Sequence, residues 1–235
     1  MIKFDIITVF PQLFTEHLNN LPFKKAVEKK LSQYKLWDLK EFSVNNYGSV
    51  DDETYGGGVG MVLSVEPIYN ALCEIYGKAV IEKQLSNPEK QSLPKDHKIV
   101  VLSPRGKTYD QETARKLSKC AQITLICGRY EGIDGRVEEN LATDVISIGD
   151  FVLSGGELPS LSIMESITRI LPGVLEKKDA AKIESFSEEN EGTPEYPQYT
   201  RPENFMGVKV PPVLLNGNHK EIDRWRKDNS KRIEK

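Results

Sequence analysis

Three short apolar runs in the second half of the chain each end in a stretch of small residues. The runs occupy 99–102, 123–127 and 145–148, and the small-residue stretches follow at 103–106, 128–132 and 149–156. Runs of this length, rich in β-branched residues, predict buried strands. Helical patterns lie between them, and strands that alternate with helices predict a parallel sheet in an α/β fold. Ligands bind beyond the carboxyl ends of such strands, so the three loops predict one backbone-lined pocket.

The rest of the chain divides into predicted elements by its hydrophobic periodicity. The pattern predicts strands at 1–10, 34–39, 98–102, 122–127 and 144–148, and helices at 14–30, 64–76, 110–118, 134–142, 157–171 and 216–227. Pro172 and Gly173 predict the end of the helix before them. The glycines at 47–60 predict a loop. The two prolines and many charges at 78–97 predict an exposed insertion. Residues 176–200 lack periodicity and predict a linker or functional loop.

Composition and charge narrow the class of protein. The 235 residues are 38% apolar and 29% charged, which is ordinary for a soluble protein. No apolar stretch approaches the ~20 residues of a membrane helix, and the N-terminus does not resemble a signal peptide. Three cysteines without CxxC spacing argue against a disulfide framework, and the three histidines are scattered, so no zinc cluster is predicted. A reducing cytoplasm is the expected location.

The net charge of −3 gives no indication of nucleic acid, but two segments are locally basic. Residues 201–235 contain nine Lys and Arg against five Asp and Glu, and residues 24–40 contain six Lys against two acids. Each segment therefore carries a net charge of +4. Both contact with phosphates and a simple solvated helix face remain open for these segments.

The chain contains no arrangement typical of nucleophilic catalysis and no nucleotide-binding fingerprint. Residues 55–61 are glycine-rich but lack the Lys-Ser/Thr ending of a phosphate-binding loop, so a flexible turn is the simpler interpretation. The three strand-end loops are apolar and contain few cations. They suit a ligand that carries an adenine and a sulfonium better than one that carries a triphosphate.

Six motifs occur in order along the chain. They are Gly-Gly-Gly-Val-Gly-Met at 56–61, Leu-Ser-Pro-Arg-Gly at 102–106, Cys-Gly-Arg-Tyr-Glu-Gly-Ile-Asp at 127–134, the run 147–159 from Ser-Ile-Gly-Asp to Gly-Gly-Glu-Leu-Pro, Tyr-Thr-Arg-Pro at 199–202, and Asn-Gly-Asn-His at 216–219. Together they resemble the bacterial tRNA (guanine-N1)-methyltransferases of the TrmD type, in the SPOUT class. Each motif is modest alone, but six in order are specific, and the resemblance covers nearly the whole chain.

The resemblance implies a deep trefoil knot in the parallel sheet, which no periodicity argument predicts because knots are exceptions to ordinary topology. It implies a knotted catalytic domain at 1–174, an interdomain linker at 175–200 and a small helical tRNA-binding domain at 201–235. It also implies an obligate homodimer in which each site is completed by the partner's linker and C-terminal domain.

The resemblance further implies that S-adenosylmethionine is held in the knot, mainly by backbone. The predicted binding positions are Leu102, Ser103, Pro104, Gly128, Tyr130, Glu131, Gly132, Ile148, Gly149, Asp150, Phe151, Val152, Leu153, Gly155 and Gly156. Phe151 stands where the family usually has Tyr, which a backbone contact would tolerate. Tyr130 and Glu131 are equally consistent with loop-shaping residues, and Glu131 with a metal ligand, so a role for Mg²⁺ stays open.

The implied reaction is methyl transfer to N1 of the guanine at position 37, on the 3′ side of the tRNA anticodon. Guanine N1 carries a proton, so a carboxylate that removes it would activate the nucleophile. The family places an aspartate before Ser-Phe for this role, and here the position is Glu184. Charge then spreads to O6, where the cation of Arg169 would stabilise it. A solvated acid at Glu184 and a structural ion pair at Arg169 are the alternatives.

Predicted contacts with tRNA are Glu195, Gln198 and Arg201, with Gln198 standing where many members have His. Trp225 could either pack the small domain or contact RNA. Two other functions remain open, namely a SPOUT methyltransferase that acts on a different RNA nucleotide and an RNA-binding module that has lost catalysis. The presence of the carboxylate, the arginine and all three loops argues against lost catalysis.

Overall fold

The structure is a computed structural model that describes residues 1–44, 48–87, 92–175, 184–187, 189–190 and 192–231. The chain divides into two compact units, residues 1–175 and residues 176–235. Parts of the loop predicted at 47–60, of the insertion at 78–97, of the linker at 175–200 and of the C-terminal domain lie outside the described residues. None of the described helices is long and apolar enough to cross a membrane.

The first unit is built on a five-stranded parallel sheet. The described residues of the first unit form seven strands, five of them in this sheet. In chain order they are β1 (Ile2–Thr8), β2 (Ser32–Asp38), β3 (Asp51–Glu53), β4 (Met61–Leu63), β5 (His97–Thr108), β6 (Gln122–Cys127) and β7 (Asp144–Ser147). The large sheet has the order β2-β1-β6-β5-β7 with every neighbouring pair parallel, while β3 and β4 form a separate antiparallel hairpin. The predicted α/β class with a parallel sheet is therefore confirmed.

Helices cover both faces of the sheet, which makes its central strands almost wholly buried. The helices are α1 (Gln12–Leu18), α2 (Phe23–Glu28), α3 (Val65–Tyr76), α4 (Lys78–Ser86), α5 (Gln111–Leu117) and α6 (Glu157–Ile170). Successive side chains of β1 point to opposite faces, so Ile6 belongs to one core cluster and Ile7 to the other. The first cluster includes Met164 from α6, and the second includes Leu72 from α3.

One predicted helix is wrong, and another differs in kind. The single helix predicted at 14–30 is two helices, because Pro22 cannot continue a helix that runs through it and instead precedes the first residue of α2. The helix predicted at 134–142 is present as a helical segment at residues 135–141, whose last five residues, Val137–Leu141, form a π-helical turn. Val137 and Leu141 are both fully buried, and this pair accounts for the helical pattern in the sequence.

Three other expectations also need correction. Strand β5 does not end at residue 102 but continues to Thr108 after an irregularity, because Lys107 pairs with Ile146 of β7. The segment predicted as an exposed insertion contains α4, whose Ile81 is fully buried in the second core cluster. The segment predicted as a loop at 47–60 contains β3, and its glycines connect the two strands of a hairpin.

The second unit contains a short hairpin and a helix. Strands β8 (Asn204–Phe205) and β9 (Val208–Lys209) pair antiparallel, a 3-10 turn covers Pro212–Leu214, and helix α7 spans His219–Asn229. The ring of Trp225 on α7 lies 6.3 Å from that of Tyr196 and 6.1 Å from that of Tyr199. Trp225 therefore packs α7 against the segment that precedes the hairpin, as the packing interpretation of this residue predicts.

Candidate active site

One cavity of about 210 Å³ lies where the segments after β6 and β7 meet the irregular part of β5. Fourteen of the fifteen predicted ligand-binding residues line it: Leu102, Ser103, Pro104, Gly128, Tyr130, Glu131, Gly132, Ile148, Gly149, Phe151, Val152, Leu153, Gly155 and Gly156. Asp150 is exposed and is not part of the lining, so its role in ligand binding stays a prediction. Three separate sequence motifs thus form one pocket.

Five residues of the lining are absent from the sequence-based assignment. They are Arg129, Ile146, Ser147, Ser154 and Pro159. Four of them stand inside the motifs that predict the pocket, which are the stretches 127–134 and 147–159. If every residue of these two motifs is taken as a lining residue, the sequence predicts these four as well. Ile146 is a strand residue whose position beside the cavity depends on its pairing with β5.

The loop after β6 and the start of α6 are joined through their backbones. The N–H of Gly156 donates to the carbonyl of Gly128 at 2.9 Å, and Arg129 forms an antiparallel bridge with Gly155. A Cβ atom on Gly156 would lie 2.8 Å from Cα of Cys127. Backbone cannot move aside as a flexible side chain can, so this close approach requires glycine.

The loop after β7 is held by Ser147 and has a conformation that favours glycine. The Ser147 hydroxyl donates to the carbonyl of Gly149 at 3.0 Å, and the N–H of Phe151 donates to the same carbonyl at 3.0 Å. Gly149 has φ of +148°, a region that L-residues with side chains rarely adopt. Phe151 and Val152 beyond it are exposed apolar residues at the cavity.

A buried ion pair underlies the same wall of the cavity. Glu157, only 1% exposed, lies with Oε2 2.9 Å from Nη2 of Arg129, and its Oε1 accepts from Arg129 Nε at 3.1 Å and from the Thr8 hydroxyl at 2.9 Å. Arg129 also donates to the carbonyl of Ser154 at 3.2 Å and covers the ring of Phe10 at 4.6 Å. One guanidinium therefore connects the loop after β6 to the segment that leads into α6.

The sequence of the chain matches one protein family over almost its whole length. A family model described as tRNA (Guanine-1)-methyltransferase TrmD matches residues 2–235. The chain belongs to the tRNA (guanine-1)-methyltransferase family. A tRNA (guanine-N(1)-)-methyltransferase of Clostridioides difficile is 42% identical over 234 residues, covering 100% of this chain and 94% of the relative. Its counterpart in Alkaliphilus metalliredigens is 43% identical over 229 residues, covering 97% and 87%.

A solved structure gives the same result for the fold. The crystal structure of tRNA (m1G37) methyltransferase from Aquifex aeolicus superimposes with a TM-score of 0.72 at 36% sequence identity. The match covers 96% of this chain and 88% of the Aquifex chain. The predicted resemblance to the methyltransferase family is confirmed over both units.

Glu131 and the glycine-rich hairpin lie side by side. The backbone N–H of Glu131 donates to the carbonyl of Met61 at 3.0 Å, and the N–H of Leu63 donates to the carbonyl of Gly132 at 3.0 Å. The Glu131 side chain lies directly over Gly60. The hairpin therefore supports the loop that carries Tyr130 and Glu131, and Gly60 and Met61 of the motif at 56–61 lie beside the cavity lining.

Cys127 is a core cysteine at the end of β6. Burial raises the pKa of its thiol well above the ordinary value, and the nearby carboxylate of Glu157 adds to this effect. Its sulfur lies 3.1 Å from the hydroxyl of Ser160. Because the thiolate is the nucleophilic form of cysteine, a thiol held protonated in this way is not a nucleophile at neutral pH.

The two predicted catalytic residues belong to different units. Arg169 lies in the last turn of α6 and is half-buried, and Glu184 is also half-buried and lies in the second unit. Their meeting around one substrate stays a prediction. Among the predicted tRNA contacts, Gln198 and Arg201 are exposed, whereas the half-buried Glu195 accepts a hydrogen bond from the backbone N–H of Ser185 at 3.3 Å.

Breaking the buried ion pair is expected to destabilise the first unit. Glu157→Ala leaves Arg129 and Thr8 without their shared partner, and removing one partner of a buried pair typically costs about 3–5 kcal/mol of unfolding free energy. Urea denaturation measures this loss. The control is Glu112→Ala, which breaks the exposed pair with Lys116 and should leave the midpoint nearly unchanged. Equal effects of the two substitutions would contradict a stabilising role for Glu157.

Proposed function

We propose that this chain transfers a methyl group from S-adenosylmethionine to N1 of guanine 37 in tRNA. The observation that carries the proposal is the cavity itself, which is formed by three of the motifs that resemble the methyltransferase family, after β6, after β7 and in the irregular part of β5. The Aquifex protein is a tRNA (m1G37) methyltransferase, and this similarity supports guanine 37 as the methylated nucleotide and 1-methylguanosine as the product.

The lining of the cavity fits S-adenosylmethionine. Gly128, Gly149 and Gly156 carry no side chain into the cavity, so a ligand can approach the backbone, and Phe151 and Leu153 supply apolar contacts for an adenine. Arg129, the one cation in the lining, is neutralised by Glu157, so a triphosphate would find no matching charge. When bound, S-adenosylmethionine supplies an electrophilic methyl group on a sulfonium sulfur.

Glu184 and Arg169 are proposed to act on guanine. The carboxylate of Glu184 would accept the N1 proton, because N1 is a poor nucleophile while it is protonated. The guanidinium of Arg169 would stabilise the negative charge that moves to O6 as the proton leaves. In this proposal Glu184 contributes general base catalysis, and Arg169 contributes electrostatic stabilisation of the charge on O6.

Three structural features belong to the same proposal. The sheet is proposed to contain the family's trefoil knot, which is supported by β5 passing between β6 and β7 and pairing with β7 on both sides of its irregularity. We also propose a homodimer in which the partner's second unit, including its linker, completes each site. Glu131 is the candidate ligand if Mg²⁺ takes part, and the described residues hold no cluster of three or more potential metal ligands.

Exposed residues of the second unit are proposed to contact tRNA, namely Gln198 and Arg201. A tRNA substrate also implies a cytoplasmic location. Another RNA nucleotide as target remains the competing function within the same class of enzymes. A binding module without catalysis is disfavoured, because the carboxylate, the arginine and the cavity are all present in this chain.

The proposal is tested by incubating the protein with labelled S-adenosylmethionine and an unmodified tRNA transcript that carries G37. Digestion to nucleosides should yield labelled 1-methylguanosine. A label on any other nucleoside would favour the competing SPOUT activity, and no label with a cofactor-bound protein would favour the binding module.

A further inference from the structure

The peptide unit that follows Glu184 is held at both of its polar ends. The Glu184 carbonyl accepts a hydrogen bond from the side-chain amide of Asn190 at 2.9 Å and another from the backbone N–H of Ser187 at 3.1 Å. On the other side of the same peptide, the N–H of Ser185 donates to Oε2 of Glu195 at 3.3 Å. Because peptide units are planar, fixing both ends also fixes the position of the Glu184 Cα atom, from which the side chain starts.

The contact between Ser185 and Glu195 is reciprocal. The backbone N–H of Glu195 donates to the hydroxyl of Ser185 at 2.9 Å, while the Glu195 carboxylate accepts from the Ser185 N–H. Next to this pair, the N–H of Phe186 donates to the carbonyl of Thr193 at 2.8 Å. The two ends of the 184–195 loop are thereby joined, in the way that a capping box joins the two side chains and backbones at a helix start.

The chain immediately after Glu195 is attached to helix α7. Tyr196 packs its ring 6.3 Å from Trp225, and the guanidinium of Arg226 lies 4.9 Å from the centre of the Tyr196 ring. Glu195 therefore stands between an aromatic residue in contact with α7 and the peptide that follows Glu184. These contacts form a continuous path from α7 through Tyr196 and Glu195 to that peptide.

We propose that Glu195 is a positioning residue for Glu184 and acts through the Ser185 peptide. The proposal rests on the proposed function, in which Glu184 is the general base. Misplacing a reacting group by about 1 Å can cost ~10² in rate, so losing this support should slow methyl transfer without weakening the binding of either substrate. The carboxylate of Glu195 is already engaged with the backbone of its own unit.

The test compares Glu195→Ala with Glu195→Gln in the full-length protein. Glu195→Ala removes the acceptor and should lower the single-turnover rate by about 10- to 100-fold, with the Kd for S-adenosylmethionine and the KM for tRNA unchanged. Glu195→Gln keeps an oxygen that can accept from the Ser185 N–H and should recover most of the rate. The control is Glu189→Ala, which removes an exposed acid of the same loop and should leave the rate unchanged.

Two further variants separate a positioning role from other roles. Ser185→Ala removes the reciprocal bond, and combining it with Glu195→Ala should cost little more than Glu195→Ala alone, because the two side chains form one unit. If Glu195 acts through Glu184, Glu195→Ala should add almost nothing to Glu184→Gln. Ser185→Ala and Glu195→Gln also keep the test valid if Glu195→Ala fails to fold.

A rise in the KM for tRNA with an unchanged single-turnover rate would overturn the proposal and assign Glu195 to direct tRNA contact. Full additivity of Glu195→Ala with Glu184→Gln would also overturn it. A near-wild-type rate for Glu184→Gln is a different result, since it rejects Glu184 as the base and thus the proposed function on which this role depends.

Discussion

Glu184→Gln is expected to slow single-turnover methyl transfer by ~10²–10⁴ without weakening the binding of S-adenosylmethionine. Glutamine preserves the size of the side chain but cannot take up the N1 proton at neutral pH. The predicted cofactor cavity lies in the first unit and does not include Glu184, so its affinity should be preserved. Rapid quenching with labelled cofactor measures the rate, and calorimetry measures the affinity.

Two comparisons sharpen the Glu184 experiment. Glu184→Asp restores the residue that the family usually carries and should remain active, while Glu189→Gln changes a neighbouring exposed acid and should have no effect. A near-wild-type rate for Glu184→Gln would move the base elsewhere. Glu131, which is one of the residues that line the cavity, would then be the next candidate.

Gly149→Val is expected to weaken the binding of S-adenosylmethionine by about 10- to 100-fold. Valine is strained at φ of +148°, and its Cβ would lie 2.6 Å from Cε1 of the Phe151 ring. Phe151 is 53% exposed, so its ring can move away and the fold should survive. The cost therefore falls on the shape of the cavity, and calorimetry with S-adenosylmethionine measures it.

Gly77→Val is the matched control for backbone strain. Gly77 has φ of +89° between α3 and α4, nothing lies within 4 Å of a Cβ built on it, and it is not part of the cavity lining. This variant should lower the melting temperature yet leave the cofactor affinity unchanged. Equal affinity in the Gly149→Val and wild-type proteins would remove the loop after β7 from the binding site.

The sequence predicts the cavity well because its signals are local. Strand β6 begins and ends at the predicted residues, and the small-residue stretches after 127 and 148 lie at the carboxyl ends of their strands. Parallel strands bring these ends to one edge of the sheet, so the periodicity of the strands is enough to place Gly128 and Gly149 in one pocket.

What the sequence does not predict depends on contacts between distant parts of the chain. The extension of β5 is stabilised by pairing with β7, and α4 is stabilised by the burial of Ile81. The pair of Arg129 with Glu157 joins residues 28 positions apart, and Thr8 completes it from 149 positions away. The hydrophobic periodicity of a short stretch does not predict contacts between residues so far apart in the chain.

The catalytic assignment depends on a different kind of information. Glu184 stands in a segment with several other acids, and neither composition nor spacing separates it from them. Its proposed role follows from the Ser-Phe pair after it, before which the family places an aspartate. The hydrogen bonds around its peptide, and the part played by Glu195 in them, are visible only in the structure.

The most direct measurement is methyl incorporation into a tRNA transcript in which guanine 37 is replaced by adenine, beside the same transcript with guanine. Adenine lacks both the N1 proton that Glu184 is proposed to remove and the O6 that Arg169 is proposed to stabilise. We predict labelled 1-methylguanosine from the G37 transcript and no incorporation into the A37 transcript. Undiminished incorporation into the A37 transcript would contradict the account and place the target at another nucleotide.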